Sequence, residues 1–433
     1  MTRSTIFHAL GLHMHQPPGN LRLLIDANPW EAEQILRCYE RPVRYAERYR
    51  DVARLHIGFS GVLLEQLLDP GIVDLYRHIL DIPQMLERYA RADNIELVGM
   101  GYSHPIFPLI PRADWSEQLE RGRELQERAF GRAPRGFWPP ELAFCMEMIP
   151  VLTEAGYEYA VVDGVQVRPQ DGIADVFRPY LACHDGVCIA VIPREREVSS
   201  AQQNGLDAAW FRDEVRWRVE GSARPQEVRL ITTWSDGENG GWFRQTHEES
   251  GFFGRFLAPY LEQGRGADDP IALVSIADYL RDHPPAARAL VQSGAWNVGC
   301  SAGLDVSQWV GSESQRIALE EVHRLSARYW DLYARCLSGP CPESLTRARN
   351  LILEAETSCY LFWSDAWIPY LYARTGLADQ ALAQAEAQLA AAPSLPCAET
   401  TGPQADSGPD ARGPSAVRAE PPASDGPSAD QVR

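Results

Sequence analysis

Short apolar runs rich in β-branched residues alternate with amphipathic stretches over the first two thirds of the chain. The runs are Ile6 to Leu12, Leu55 to Phe59, Ile95 to Val98, Tyr159 to Val162, Cys188 to Ile192, Arg229 to Trp234 and, more weakly, Ile271 to Val274. They are too short for helices and too continuously apolar for half-solvated strands, so they predict buried strands of a mainly parallel sheet with helices between them. About seven βα units suggest a closed barrel, although an open doubly wound sheet has the same periodicity.

Beyond about Gly311 the alternation stops. SESQRIALEEVHRLSARYWDLYARCL, ESLTRARNLILEAETSCYLFWSDAWIPYLYARTG and LADQALAQAEAQLAAA place apolar residues every three or four positions, which predicts helices only. From about Pro393 the chain is rich in Pro, Ser, Gly, Ala and Asp and almost free of aliphatic residues, and such a segment cannot bury enough surface to offset its ordering entropy. The expected organisation is an α/β unit over residues 1–305, a helical unit over 306–392 and a disordered tail over 393–433.

Charge narrows the partners. With 41 Lys+Arg against 59 Asp+Glu the net charge is -18, which disfavours nucleic acid and anionic membrane surfaces and favours a neutral ligand. The 12 Trp and 16 Tyr outnumber the 13 Phe, and amphipathic rings of that kind suit stacking on a sugar, besides their ordinary use in cores. Nine cysteines without CxxC spacing indicate neither a disulfide framework nor a zinc ribbon. The N-terminal stretch lacks a secretory h-region, and no apolar run reaches the roughly 18 residues of a membrane span, so the expectation is a cytoplasmic protein. Oligomeric state is not legible.

Candidate chemistry sits where the strands end. In GLHMHQPPGN, His13 and His15 share one side of a strand, just before Gln16 and a Pro-Pro-Gly turn. Two imidazoles on one face at a strand end point to a site more than to a core. In ELVGMGYSHPIFPLIP a strand runs into glycines and then Tyr102, His104 and Phe107, a composition equally compatible with a structural loop. In RGFWPPELAF, Arg135 to Trp138 reads as a short strand, and Pro139-Pro140 leaves Glu141 at the start of a helix, where the helix dipole alone would favour it. In LITTWSDGENGGWF a buried-looking strand opens into Trp234, Asp236 and Glu238, closed by Trp242. Asp-Gly alone marks a turn, but acids bracketed by tryptophans are costly unless used. Two carboxylates at the ends of separate strands suit glycosidic-bond cleavage: one protonates the leaving oxygen, and the other attacks at a separation of about 5–5.5 Å when configuration is retained.

HMHQPPGN, GMGYSHPIFPLIP, GFWPPELAF, TTWSDGENGGWF and AETSCYLFWSDAW, in that order over about residues 6–370, resemble the motifs of glycoside hydrolase family 57. That family comprises α-glucan-active enzymes, among them α-amylases, 4-α-glucanotransferases, amylopullulanases and branching enzymes. The resemblance implies a (β/α)7 barrel followed by a C-terminal α-helical bundle domain that closes over the cleft. It also implies retaining chemistry on an α-glucan or malto-oligosaccharide, with no cofactor and no metal. Carried onto this chain, it makes Glu141 the nucleophile and Asp236 the general acid/base, with His13, His15, Trp138 and Trp363 lining the donor-sugar subsite. Gln16, His104, Trp234, Glu238 and Trp242, from the same clusters, complete the expected substrate-binding set. The chain departs from the family pattern at Ser103-His104-Pro105, where members often carry Tyr-Glu-Pro. Two other readings compete. His13, His15 and Asp236 could hold a divalent ion in a metal-dependent polysaccharide deacetylase, or the cleft could bind α-glucan without turnover.

Overall fold

The apolar runs become parallel strands covered on both faces. They are β1 (Ile6–Met14), β2 (Leu55–Phe59), β3 (Ile95–Gly99), β4 (Gly136–Phe137), β5 (Tyr159–Asp163), β6 (Val187–Arg194) and β7 (Arg229–Asp236). Parallel ladders run from β1 through β5 and on to β6. β7 pairs with β1 from Ile6↔Arg229 to His13↔Asp236. Between β6 and β7 the Glu195 N–H donates to the Thr232 carbonyl at 2.8 Å. The seven strands therefore return to the first and form a (β/α)7 barrel, which decides against the open sheet. Ile271–Leu273 is an additional parallel strand beside Ile6 to His8, below the part of β1 that β2 uses. The computed structural model describes residues 6–225, 227–238, 240–266, 270–296, 305–336 and 340–391; the expected tail at 393–433 lies outside them.

Alternation along the strands divides the core in two. Ala9, Val161, Ile192, Leu230, Trp138 and Trp234 fill the barrel, whereas Leu10, Leu12, Leu55 and Ile57 face the surrounding helices. Gly11 makes room for the largest of these rings, because a Cβ there would lie 2.1 Å from the Trp234 indole.

Two local expectations are corrected. The helix expected to start at Glu141 does not form: Pro140–Leu142 is one 3-10 turn, and the α-helix spans only Ile149–Glu154. The reason is the left-handed backbone of Glu141 and Leu142, with φ of 57° and 51°, which a repeating right-handed helix cannot contain. The cysteine spacing also missed a disulfide, Cys183–Cys188. These residues face each other in the antiparallel hairpin of Tyr180–His184 with β6, a proximity set by the turn rather than by any cysteine motif.

The C-terminal helices Glu313–Cys336, Glu343–Ala355 and Ile368–Ala391 pack through Leu325, Leu332, Leu345, Ile352 and Leu382, and Ser358–Phe362 packs through Tyr360 and Leu361 against a second cluster. Buried charge ties them to the barrel. Arg349 pairs with Asp114 at 2.7 Å and Glu117 at 2.6 Å, and Gln118 donates to Glu356 at 2.6 Å. Buried ions persist only when partnered in this way. The last pair positions Thr357 and Ser358, the two residues that follow Glu356, at the open end of the barrel. Among the described residues no helix is long and apolar enough to cross a membrane.

Candidate active site

The C-terminal ends of β1, β4 and β7 converge, because register places His13 opposite Asp236. The His13 Nε2 lies 2.8 Å from the Asp236 Oδ1. Beneath His13 stands a column of rings: Trp138 stacks on it at 4.9 Å, and Trp234 stacks on Trp138 at 4.8 Å. Both indoles are 0% exposed. This corrects their expected place against the sugar, since they fill the barrel above Gly11 and support His13 from below. Trp242 is also corrected. It packs over Gly205, where a Cβ would meet its ring at 3.2 Å, and against the cluster outside the barrel, so it does not line the cleft.

Glu141 follows two prolines in a conformation that costs a non-glycine residue about 1–3 kcal/mol. Three backbone bonds hold it there: Leu142 N–H to Pro139 C=O (2.8 Å), Ala143 N–H to Pro140 C=O (2.9 Å) and Trp296 N–H to Glu141 C=O (2.8 Å). The side chain is turned into the cleft. Its Oε2 accepts the Trp296 indole N–H at 2.7 Å, and its Oε1 accepts the Ser358 hydroxyl at 3.4 Å. Burial first, and the charge of Asp236 second, push the Glu141 carboxyl up to about 7, while the Trp296 N–H, His13 and Ser358 pull the other way.

His104 closes the third side. Its ring stacks on His15 at 4.1 Å, and its Nδ1 lies 2.9 Å from the Ser358 Oγ. Its Nε2 is buried with no partner among the described residues. His15 meets Ser60 through Nδ1 at 2.8 Å, and its backbone N–H donates to the Glu238 Oε1 at 2.8 Å. Burial drives His15 down to about 3 and His104 well below its ordinary value. Both are therefore neutral imidazoles, in each of which one ring nitrogen donates and the other accepts. Burial likewise pushes Glu238 up to about 8, beside Gln16, whose amide reaches it at 3.4 Å. Among the described residues no group of three His, Cys, Asp or Glu converges as metal ligands. His13 and His15 instead turn to Asp236 and Ser60.

The resulting cavity of about 430 Å³ brings together His13, His15, Gln16, His104, Glu141, Asp236, Glu238 and Trp363. Sequence reasoning missed Trp296 and Ser358, which bond the Glu141 carboxyl, and Thr357, whose hydroxyl lies 3.4 Å from the His15 Nε2. Trp296 lies in SGAWN, which carries no motif. Thr357 and Ser358 lie inside the fifth motif, where two small hydroxyl residues at a helix start carry no signal of their own.

Set beside known proteins, residues 9–292 match the model of Glycosyl hydrolase family 57. The α-amylase 1 of Dictyoglomus thermophilum is 24% identical over 349 residues, which cover 78% of this chain and 46% of that protein. The 4-α-glucanotransferase of Thermococcus litoralis is 28% identical over 323 residues, covering 73% and 44%. The chain thus spans a little under half the length of these relatives. In structure it is similar to a branching enzyme from Thermococcus kodakaraensis, with a TM-score of 0.65 at 18% identity over 90% of this chain and 91% of the other. It is also similar to the α-amylase AmyC of Thermotoga maritima, with a TM-score of 0.60 at 16% identity over 90% and 94%. At these identities the structural likeness concerns the fold.

Proposed function

The chain belongs to glycosyl hydrolase family 57, and from that membership we propose that it is a retaining glycoside hydrolase or transglycosylase acting on α-1,4 or α-1,6 glucosidic bonds of α-glucans, of the amylase or 4-α-glucanotransferase type. The observation that carries the reading is that Glu141 and Asp236, from different strand ends, face one cavity while their surroundings treat them differently. Glu141 receives only donors, the Trp296 indole N–H and the Ser358 hydroxyl. Asp236 is held by an imidazole.

The charge of Asp236 is itself a cause of the raised Glu141 value, so the charge on one carboxyl bears on the other. When Asp236 holds the proton that repulsion vanishes, and Glu141, facing donors, is left as the carboxylate. This state is poised for the reaction. Glu141 forms a bond to the anomeric carbon as Asp236 gives its proton to the departing glycosidic oxygen. Asp236, now a base, then takes a proton from water or from a sugar hydroxyl as that oxygen displaces Glu141 from carbon. Water gives hydrolysis, and a glucan hydroxyl gives transfer. His13 orients Asp236, and the neutral His15 and His104 offer hydrogen bonds to hydroxyls of the bound sugar.

Incubation with maltoheptaose and amylose, with products separated by chain length, tests the reading. Shorter chains alone, or shorter and longer chains together, are expected from the unaltered protein in the presence of EDTA, and neither from Glu141→Gln. Full activity in Glu141→Gln would refute it.

A further inference from the structure

The proposed chemistry gives no part to Arg194, the last residue of β6, although its side chain is wholly buried in the barrel. Its Nε donates to the Trp234 carbonyl at 2.8 Å, two residues before Asp236. Its Nη1 and Nη2 are buried without a hydrogen-bond partner among the described residues. Asp163, at the end of β5, lies 3.8 Å from Nη1 and is already bound by Arg196 at 2.9 and 3.0 Å. Burial draws the guanidinium down to about 10; the charges of Asp163, Glu195 and Asp236 oppose that fall, and the charge of Arg196 adds to it. A cation kept in a barrel core with only its Nε–H bonded is costly, and stability alone would favour an apolar side chain of similar length. What the guanidinium does meet is a ring. Its Cζ lies over the Trp296 indole, 5.0 Å from the ring centre, and this is the indole whose N–H reaches the Glu141 Oε2 at 2.7 Å. His13 and Trp138 also contact the ring, each at 5.4 Å, but at interplanar angles of 54° and 76°, so neither covers its face flat. A cation over an indole face is attracted to the ring and polarises its N–H into a stronger donor.

We propose that Arg194 is a positioning residue: its guanidinium holds the Trp296 ring with the indole N–H aimed at Glu141, and its charge strengthens that N–H as a donor to the carboxylate. The inference rests on the role of Glu141 in the proposed reaction. Glu141 also faces Asp236, His13, His104 and Cys359, so the contribution of Arg194 is read by difference between variants.

The pH profile of kcat/KM on maltoheptaose is measured in the full chain for Arg194→Met and Arg194→Gln, each alone and combined with Trp296→Phe. Both variants remove the charge, and Gln keeps a donor for the Trp234 carbonyl should Met leave the barrel unfolded. Each is expected to lower kcat/KM about three- to tenfold near pH 6 relative to the unaltered protein, and by less as pH rises, because Glu141 is then held less firmly as the carboxylate. With Trp296→Phe already present, the further loss should be less than about twofold. A second readout needs no turnover. The stability gained by Glu141→Gln grows with pH until the folded Glu141 ionises, and in the Arg194 variants it should go on growing to a higher pH, as read by denaturant unfolding. A loss equal at every pH, with that stability curve unmoved, overturns the inference and reduces Arg194 to a packing residue. An undiminished loss in the Trp296→Phe background also overturns it, since the effect would then bypass the ring. If the stability curve moves but no glucan is turned over, the hold of Arg194 on Glu141 stands and the enzymatic reading falls; turnover with neither curve moved gives the reverse.

Discussion

Replacing Trp296 by Phe removes the indole N–H that Glu141 accepts at 2.7 Å while keeping an aromatic ring beside His13 and Trp138. A hydrogen bond to a buried charged group contributes about 1.5–3 kcal/mol, and about 1.4 kcal/mol corresponds to one pKa unit. The bond favours the carboxylate, so its loss raises the Glu141 value. From about 7, a shift of about one unit reduces the ionised fraction at pH 7 from about a half to about a tenth. If the carboxylate is the attacking group, kcat/KM on maltoheptaose falls about fivefold at pH 7, and the deficit relative to the unaltered protein narrows as pH rises. The assay is the pH profile of kcat/KM for both proteins, with melting temperature as a control for the smaller ring. An acidic limb that stays in place or moves down refutes the reasoning. So does a loss that is equal at every pH, since that would reduce Trp296 to a packing residue.

Three further outcomes follow from the same geometry. Because burial lifts Glu141 from 4.5 to about 7, the unfolded chain releases that proton first, and stability is lost as pH rises between those values; Glu141→Gln should therefore be more stable than the unaltered protein by about 2–3 kcal/mol at pH 8 and show no gain near pH 4, as read by denaturant unfolding. Ser358→Ala removes the 2.9 Å contact to His104 and the 3.4 Å contact to Glu141, and is expected to lower kcat/KM about tenfold at a stability cost of about 1–3 kcal/mol, since the buried His104 nitrogen loses its partner. Gly11→Ala drives a methyl into the Trp234 ring, 2.1 Å from the ideal Cβ. It should cost about 3 kcal/mol and, by tilting the column under His13, lower kcat as well; a normally stable variant would show that the column has slack.

The barrel was legible because buried parallel strands are written as continuous apolar runs, and β1, β2, β3, β5, β6 and β7 each begin within a residue of theirs. β4 was harder: only Gly136–Phe137 qualify, and it was seen through the prolines after it. Side-chain direction at the site was less legible. His13 and His15 follow from strand alternation, yet nothing local says that Trp234 points down into the barrel, because that depends on the gap left by Gly11 one strand away, nor that Trp138 stacks on it. Glu141 read as a helix start, since composition cannot report a left-handed φ imposed by bonds to residues as distant as Trp296. Trp296 and Ser358 reach the Glu141 carboxyl from 155 and 217 positions further along the chain, a proximity no periodicity encodes. The same holds for the buried Arg349, Asp114 and Gln118 contacts that set Thr357 and Ser358 in place.

The mechanism stands or falls on the bond from Glu141 to the anomeric carbon. The most direct measurement is to trap the intermediate with a slowly hydrolysed fluorinated α-glucosyl fluoride in the protein carrying Asp236→Asn, digest the protein and locate the sugar by mass spectrometry. One added sugar is expected, on the peptide containing Glu141, and none when Glu141→Gln is combined with Asp236→Asn. A label on Glu238 or any other carboxylate would contradict the account.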